Sequence, residues 1–435
     1  MCSEKVCNYT KKSNTNFYMT EIKRNIHLCK IIASKHNGMI KVITGLRRSG
    51  KSYLLFKLFY KHLLENGVRE DHILTIDLED RLNKSLRDPD ALLHHIRNLM
   101  KDKERYYILL DEVQLVAEFE DVLNSFLKVD NADVYVTGSN AKFLSKDIIT
   151  EFRGRGDEIR IRPLSFKEFC SVREGTQEQL LLEYMTYGSM PQVVLTDNAV
   201  KKADYLRGLF IHTYLKDIKE RYDIREDDDL EELISLLASN IGGLTNPMKL
   251  ENAFKSIKHK TLSAETIKTY IDLLQDAFLI EKSVRYDIKG KKYIDTPSKY
   301  YFEDLGLRNA RIGFRQTEFT HLLENMIYNE LRLRGFSVDV GQVVVETQAD
   351  GKRKRTALEV DFVCNQGYRR YYIQSAYALP SSDKMEQEFK SLKKINDGFR
   401  KFVIVGTPTP TYQNDDGIMI MNVYDFLMND DSLVG

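Results

Sequence analysis

The residues that point most clearly to chemistry lie in one glycine-bounded loop. The segment GLRRSGKS fits the pattern G-x-x-x-x-G-K-[ST] at every required position. In such a loop, glycines let the backbone curl until its N–H groups face phosphate oxygens, the lysine adds a point charge, and the serine hydroxyl binds Mg²⁺. The sequence therefore predicts a phosphate-binding loop made of Gly45, Leu46, Arg47, Arg48, Ser49, Gly50, Lys51, Ser52 and Tyr53.

An acidic pair follows an apolar run further along the chain. Tyr107 to Leu110 reads as a buried strand, and it is followed by Asp111 and Glu112. Ligands of open α/β sheets bind at the carboxyl ends of the strands, where these two acids would lie. We expect Asp111 and Ser52 to hold Mg²⁺ and Glu112 to polarise an attacking water molecule.

A third apolar run ends in polar residues. Asp133 to Thr137 reads as a strand and leads into Gly138, Ser139 and Asn140. A polar side chain at this place could reach the terminal phosphate or the attacking water. The alternative is a plain turn, since Gly and Asn are common turn residues.

These motifs need a parallel sheet to bring them together. Apolar runs alternate with segments of helical character in the first part of the chain, and hairpin signals are few. This pattern predicts a parallel α/β sheet. The predicted strands are 40–44, 72–77, 107–110 and 133–137, and the predicted helices are 51–64, 91–100 and 119–128.

Composition sets broad limits on the protein class. The 65 basic and 64 acidic side chains leave a formal net charge of +1, which excludes a globally basic nucleic-acid binder. The five cysteines form no C-x-x-C pair, so we expect no zinc site and a reducing, cytoplasmic location. We expect no membrane span and no signal peptide, because long apolar runs are missing and residues 1–20 read as a loose polar arm.

Together the three motifs resemble those of the AAA-type P-loop ATPases, a resemblance that implies ATP and ADP as ligands and makes Ser139 or Asn140 the sensor residue. Further matches resemble one bacterial and archaeal subgroup with a C-terminal domain of unknown function, and this resemblance covers nearly the whole chain. They are the paired arginines Arg47 and Arg48, D-E-x-Q at 111–114, T-G-S-N at 137–140, G-R at 154–155 and P-L-S-F-x-E-F at 163–169.

Two arginines, Arg153 and Arg155, follow the third strand. One of them could act as an arginine finger, from the same chain or from a neighbouring chain, and spread the charge of the transition state. The subgroup pattern favours Arg155. The alternative is a pair of solvated arginines beside a turn.

The middle of the chain, residues 201–311, resembles the winged-helix segment of the same family. A helix over 266–279, with Ser263 as its N-cap, precedes two β-like runs joined at Lys289 to Lys292. A winged helix can place a helix in the major groove of DNA, but this one carries few basic residues. We favour a winged helix that packs against protein, and DNA contact through the hairpin lysines stays open.

Residues 312–435 resemble a restriction-endonuclease-like core. Such cores hold Mg²⁺ with acids and activate water with a lysine. Glu324 and Asp361 match two of the acids, but Gln374 stands where the next acid belongs and Ala376 where the lysine belongs. We therefore predict a degenerate site without nuclease activity. The basic run 352–355 is open to two interpretations, a phosphate contact or a solvated hairpin tip.

The sequence thus predicts four parts: an arm at 1–20, an AAA-type domain at 21–200, a winged-helix segment at 201–311 and a nuclease-like domain at 312–435. The first functional interpretation is an Mg²⁺-dependent ATPase whose nucleotide state controls the C-terminal domains. The second is a slow, nucleotide-gated module that engages DNA or a protein through those domains. A third, an active nuclease, is disfavoured. A finger supplied by a neighbouring chain would require a homo-oligomer.

Overall fold

The computed structural model describes residues 21–138, 154–222, 227–258, 262–315, 318–349 and 352–434. The chain divides into two compact units, the first ending at Leu164 and the second beginning at Ser165. The domain boundaries expected after residues 20, 200 and 311 stay predictions.

The first unit is built on a five-stranded sheet in which every strand pairs in parallel with its neighbours. The strand order is β2-β3-β4-β1-β5, so β1 lies between β4 and β5. The parallel sheet that the sequence predicts is confirmed. The strands are β1 (Ile40–Gly45), β2 (Ile73–Asp77), β3 (Tyr106–Asp111), β4 (Ala132–Thr137) and β5 (Gly156–Ile161).

Apolar side chains cover both faces of this sheet. Along β1, Ile40 and Val42 join one buried cluster and Ile43 joins another, because successive side chains of a strand point to opposite faces. A sheet buried on both faces holds its strand ends in fixed positions. The helical segments of this unit are Asn25–Ala33, Lys51–Tyr53, Leu54–Phe59, Tyr60–Glu65, Pro89–Leu99 and Phe119–Phe126, with 3₁₀ turns at Glu70–His72, Arg81–Arg87 and Val113–Leu115.

The second unit begins with helical segments. Ser263 caps the helix Ala264–Asp276 by accepting a hydrogen bond from the Thr266 N–H (3.1 Å), which confirms the N-cap expected from the sequence. The segments before the strands are Phe166–Cys170, Gln177–Tyr187, Pro191–Val194, Ala199–Leu209, Phe210–Leu215, Lys216–Tyr222, Asp227–Ser239, Pro247–Ala253, Phe254–Lys258 and Ala264–Asp276. Those after the first hairpin are Leu305–Arg311, Phe319–Leu333, Ser382–Lys393 and Val423–Met428.

An eight-stranded sheet forms the rest of this unit, in the order β12-β13-β11-β10-β9-β8-β6-β7. The hairpin β6–β7, expected to be the wing of a winged helix, pairs through β6 with β8 in the same sheet. The winged-helix and nuclease-like folds stay predictions. The strands are β6 (Ile280–Asp287), β7 (Lys292–Phe302), β8 (Ser337–Ala349), β9 (Lys352–Gln366), β10 (Arg369–Ala376), β11 (Arg400–Val405), β12 (Tyr412–Gln413) and β13 (Ile418–Asn422).

Within the part of the chain that the structure describes, no helix combines the length and the apolar character needed to cross a membrane.

Candidate functional site

The loop after β1 has a backbone that only glycine accommodates at its two ends. Gly45 has φ +134°, and a Cβ built there would lie 2.0 Å from the Ile161 carbonyl oxygen of β5. Gly50 has φ +97° and immediately precedes the helix that begins at Lys51. Side chains at these positions would clash or strain the backbone, so the two glycines of the motif fix the curl of the loop.

Lys51 lies inside this curl. Its Nζ donates hydrogen bonds to the carbonyl oxygens of Gly45 (3.1 Å) and Leu46 (3.2 Å), and the side chain is buried. Burial lowers the pKa of Lys51 to about 8, although the carboxylates of Glu112 and Asp111 oppose this shift. The loop therefore holds a preorganised cationic group beside two acids.

Asp111 is the last residue of β3, and its side chain contacts the end of the phosphate-binding motif at Ser52. Its buried carboxylate accepts hydrogen bonds from the hydroxyls of Thr137 and Ser52. Burial raises the pKa of Asp111, and these two hydrogen bonds oppose the rise. A serine hydroxyl and a carboxylate are both hard oxygen ligands, so the pair expected to hold Mg²⁺ is brought together and fits that ion chemically.

Glu112, the residue after β3, adopts a left-handed backbone with φ +52°. Its N–H donates to Thr137 Oγ1 (3.0 Å), and its carboxylate accepts a hydrogen bond from the Gln114 side-chain amide. Thr137 therefore connects Asp111 and Glu112 to the end of β4. Sequence reasoning missed this bridging role; the signal was a hydroxyl residue at the end of the strand beside the acidic pair.

The Thr137 bridge can be tested by removing only its hydroxyl. We expect Thr137→Val to lower the free energy of unfolding by about 1–3 kcal/mol, because the buried Asp111 carboxylate and the Glu112 N–H each lose a partner. Denaturant titration measures the change. Thr137→Ser keeps the hydroxyl and is the matched control; equal stability of the Val and Ser variants would contradict the bridge.

The other predicted members of the site are Ser139, Asn140, Arg153 and Arg155. Ser139, Asn140 and Arg153 lie outside the described residues. Arg155 is exposed just before β5, where its carbonyl oxygen accepts from the Ile40 N–H (2.9 Å) at the amino end of the sheet. The phosphate-binding loop leaves the opposite end of β1, so the structure does not bring Arg155 to Lys51 within this chain.

The second unit holds a cluster of charged side chains around the buried Lys299. Lys299 Nζ lies 2.7 Å from Glu324 Oε1, 2.7 Å from Glu359 Oε1 and 3.7 Å from Asp361 Oδ1. The Tyr301 hydroxyl also donates to Glu324 Oε1 (2.6 Å). Glu324 comes from the helix Phe319–Leu333, both other acids come from β9, and the lysine comes from β7. The structure thus brings the predicted Glu324 and Asp361 together, with Lys299 between them.

Gln374 lies at the margin of this cluster. Its side-chain oxygen accepts from the Asp361 N–H (3.4 Å), and its amide donates to Glu388 Oε2 (3.3 Å). The third residue of the predicted degenerate site is therefore beside Asp361. Sequence reasoning missed Lys299 and Glu359, since it sought the lysine only at Ala376, on the strand that carries Gln374.

The charges of the Lys299 cluster are strongly coupled. Burial alone would lower the pKa of Lys299, but Glu324, Asp361 and Glu359 outweigh it and raise that pKa. Burial and the Glu324 carboxylate raise the pKa of Asp361 to about 8, although Lys299 opposes them. For Glu324, burial is the largest single effect and would raise the pKa, but the attraction of Lys299 and the hydrogen bonds from His321, Lys299 and Tyr301 together lower it. The ion pair of Lys299 with Glu324 is therefore the central contact.

This ion pair should be important for stability. The Lys299 and Glu324 side chains are only 2% and 7% exposed. We expect Lys299→Met to lower the free energy of unfolding by about 3–5 kcal/mol, because it leaves a buried carboxylate without its cation. Urea titration measures the loss.

The matched control for this variant is the pair Lys299→Met with Glu324→Gln. It removes both charges and should recover part of the lost stability. A change below about 1 kcal/mol in the single variant would contradict a buried ion pair, since breaking one leaves an uncompensated charge.

The fold and the loop together define the class of the first unit. A parallel sheet of this order, with a glycine-bounded loop and lysine after β1 and an acidic pair after β3, is typical of the P-loop NTPases. Residues 37–170 match the AAA domain family. Residues 178–318 match a domain of unknown function.

Two relatives match almost the entire chain. An uncharacterized protein of Haemophilus influenzae is 35% identical over 415 residues, which cover 94% of this chain and 98% of that protein. An uncharacterized protein of Methanocaldococcus jannaschii is 30% identical over 419 residues, covering 93% and 88% respectively. The chain therefore belongs to one protein family with these two proteins.

Among solved structures, Cdc6p from Pyrobaculum aerophilum is similar at 12% identity. The match covers 70% of this chain and 96% of that chain, with a TM-score of 0.28.

Proposed function

We propose that this protein is an Mg²⁺-dependent ATPase whose nucleotide state controls its C-terminal part. The observation that carries the proposal is the convergence of Lys51, Ser52, Asp111 and Glu112 at one edge of the sheet. A cation, a hydroxyl and two carboxylates at this edge are the groups that phosphoryl transfer to water requires.

Each group has a distinct task in the proposed reaction. The loop N–H groups and Lys51 bind phosphate oxygens, while Ser52 and Asp111 are the residues that would hold Mg²⁺. The ion, when bound, neutralises negative charge on the phosphates. Glu112 orients a water molecule and accepts its proton as the oxygen attacks phosphorus, and ADP leaves with the cleaved bond's electrons.

The reaction is tested by measuring phosphate release from ATP. We expect release with Mg²⁺, its loss when EDTA removes the metal, and ADP as the other product. The preference for ATP follows only from the resemblance of the sequence, so GTP is the matched alternative substrate. Failure to release phosphate from either nucleotide, in protein that binds ATP, would favour the second function below.

A nucleotide-gated binding module is the second candidate function, and one contact favours it. The Glu112 carboxylate is engaged by the Gln114 amide, so the proposed base has a protein partner already. Slow turnover that rises when DNA or a protein partner is added is the expected behaviour of such a module. Turnover with and without double-stranded DNA tests the DNA branch, and a pulled-down partner tests the protein branch.

Nuclease activity is proposed to be absent. Gln374 replaces an acid, and Lys299, which lies 3.7 Å from Asp361, is already paired with Glu324 and Glu359. Incubation with DNA, ATP and either Mg²⁺ or Mn²⁺ tests this proposal. Cleavage that disappears in Asp361→Ala would overturn it.

The remaining parts of the proposal concern assembly and location. An arginine finger from Arg155 would have to come from a neighbouring copy, which makes a homo-oligomer part of the proposal. We propose that the part of the chain after the ATPase domain, residues 201–435, binds DNA or a protein partner. A cytoplasmic location rests on the cysteine pattern of the sequence.

A further inference from the structure

Arg24 makes two contacts that join the phosphate-binding loop to the neighbouring strand. It immediately precedes the helix Asn25–Ala33, and the residue is 2% exposed. Its Nη1 donates to the Ser49 carbonyl oxygen (2.8 Å), and its Nη2 donates to the Arg162 carbonyl oxygen (2.5 Å). Ser49 is the loop residue before Gly50, and Arg162 follows the end of β5.

The Ser49 carbonyl oxygen needs a hydrogen-bond donor from within the protein. When the N–H groups of a loop turn toward phosphates, some of its carbonyl oxygens turn into the protein and must be satisfied there. Ser49 is fully buried, and Arg24 supplies a charged donor to its carbonyl. A planar guanidinium presents its donors in a rigid fork, so one side chain fixes the distance between two acceptors.

The surroundings of Arg24 are positively charged. His27 on the same helix is fully buried, and burial, followed by the nearby Arg24, Lys30 and Arg162, lowers its pKa well below the ordinary value. The lowered pKa of His27 reflects its burial and the positive charge of these three side chains. Positive charge behind the loop favours the binding of an anionic ligand in front of it.

We propose that Arg24 is a positioning residue for the phosphate-binding loop. It does not touch the nucleotide; it holds the loop between Leu46 and Gly50 in the curl that binds polyphosphate. This inference rests on the proposed function, because it takes ATP as the ligand. The motif G-x-x-x-x-G-K-[ST] does not include this residue, which the fold brings to the loop from another segment.

The variant Arg24→Lys tests the proposal. Lysine keeps the charge but lacks the fork that spans both carbonyl oxygens. We expect its ATP Kd and KM to rise about tenfold, the size of effect typical of losing a charge-assisted hydrogen bond, with kcat within about twofold. Measurements are made well below the melting temperature of the variant, so that only folded protein is compared. Lys23→Ala is the matched control for a neighbouring positive charge.

A purely structural role predicts a different result. It would lower the melting temperature of the nucleotide-free protein and leave the ATP Kd and KM of the folded variant unchanged, and this outcome overturns the proposal. Arg24→Gln, which removes the charge as well as the fork, is a second variant; if it does not fold, Arg24→Lys still decides between the two roles. Wild-type protein that fails to bind ATP refutes the proposed function, whereas wild-type and Arg24→Lys proteins that bind equally refute only the role of Arg24.

Discussion

Replacement of Lys51 by alanine is expected to weaken ATP binding by about 100-fold. Lys51 Nζ is held within the loop by the carbonyls of Gly45 and Leu46, so the cation is in place before a ligand arrives. A hydrogen bond to a charged group contributes about 1.5–3 kcal/mol, and each 1.4 kcal/mol corresponds to a factor of ten in affinity. The loss lies at the upper end of this range because the side chain is buried.

Titration with a fluorescent ATP analogue measures the affinity of Lys51→Ala. Lys57 lies on the helical segment that follows the loop and its side chain is exposed, so Lys57→Ala is the matched control. The control should bind like the wild type. Equal affinity in Lys51→Ala and Lys57→Ala would show that phosphate is not bound by this loop.

Replacement of Glu112 by glutamine is expected to separate binding from hydrolysis. General-base catalysis contributes about 10²–10⁴-fold to rate, so turnover should fall by that factor while the ATP affinity stays within about threefold. Glutamine has nearly the same shape as glutamate but cannot accept the proton of water. The backbone N–H bond to Thr137 is unaffected by the change.

Glu118 provides the control for this variant. It is an exposed acid near Glu112 with the same left-handed backbone, φ +49°. Glu118→Gln should keep wild-type turnover. Undiminished turnover in Glu112→Gln would remove the assigned base, and loss of binding in the same variant would show that the carboxylate serves the ligand rather than the water.

The phosphate-binding loop could be predicted from sequence because its chemistry is local. Gly45, Gly50 and Lys51 occupy fixed positions within eight residues, and the backbone angles at both glycines are those that exclude other side chains. The parallel sheet was predictable for a related reason, since buried strands alternating with helices leave a clear apolar pattern. The roles assigned to Asp111 and Glu112 stay proposals that the geometry supports.

The Lys299 cluster and the Arg24 contacts were beyond sequence reasoning because they are long-range. Lys299 meets Glu324 and Asp361 only when β7, β9 and a helix have packed together. No spacing rule connects these segments along the chain. Arg24 likewise reaches Ser49 from a separate helix, and a single arginine before a helix gives no signal of its own.

Thr137 could be predicted from the sequence only in part, because its strand has a clear pattern but its contacts do not. The sequence predicts its strand, but the motif assigns the sensor role to the polar residues after it, Ser139 or Asn140. The parallel pairing of β3 with β4 is what places the Thr137 hydroxyl beside Asp111. Strand order is a property of the whole sheet, so this neighbour could not be inferred from either motif alone.

The most direct test of the ATPase proposal is phosphate release from ATP by the full chain with Mg²⁺, measured beside Lys51→Ala and Glu112→Gln. The account predicts steady release by the wild type, ATP binding weakened about 100-fold with little release in Lys51→Ala, and ATP binding without release in Glu112→Gln. Equal release by all three proteins would contradict it, because the hydrolysis would then arise elsewhere than at the edge of the sheet that carries these residues.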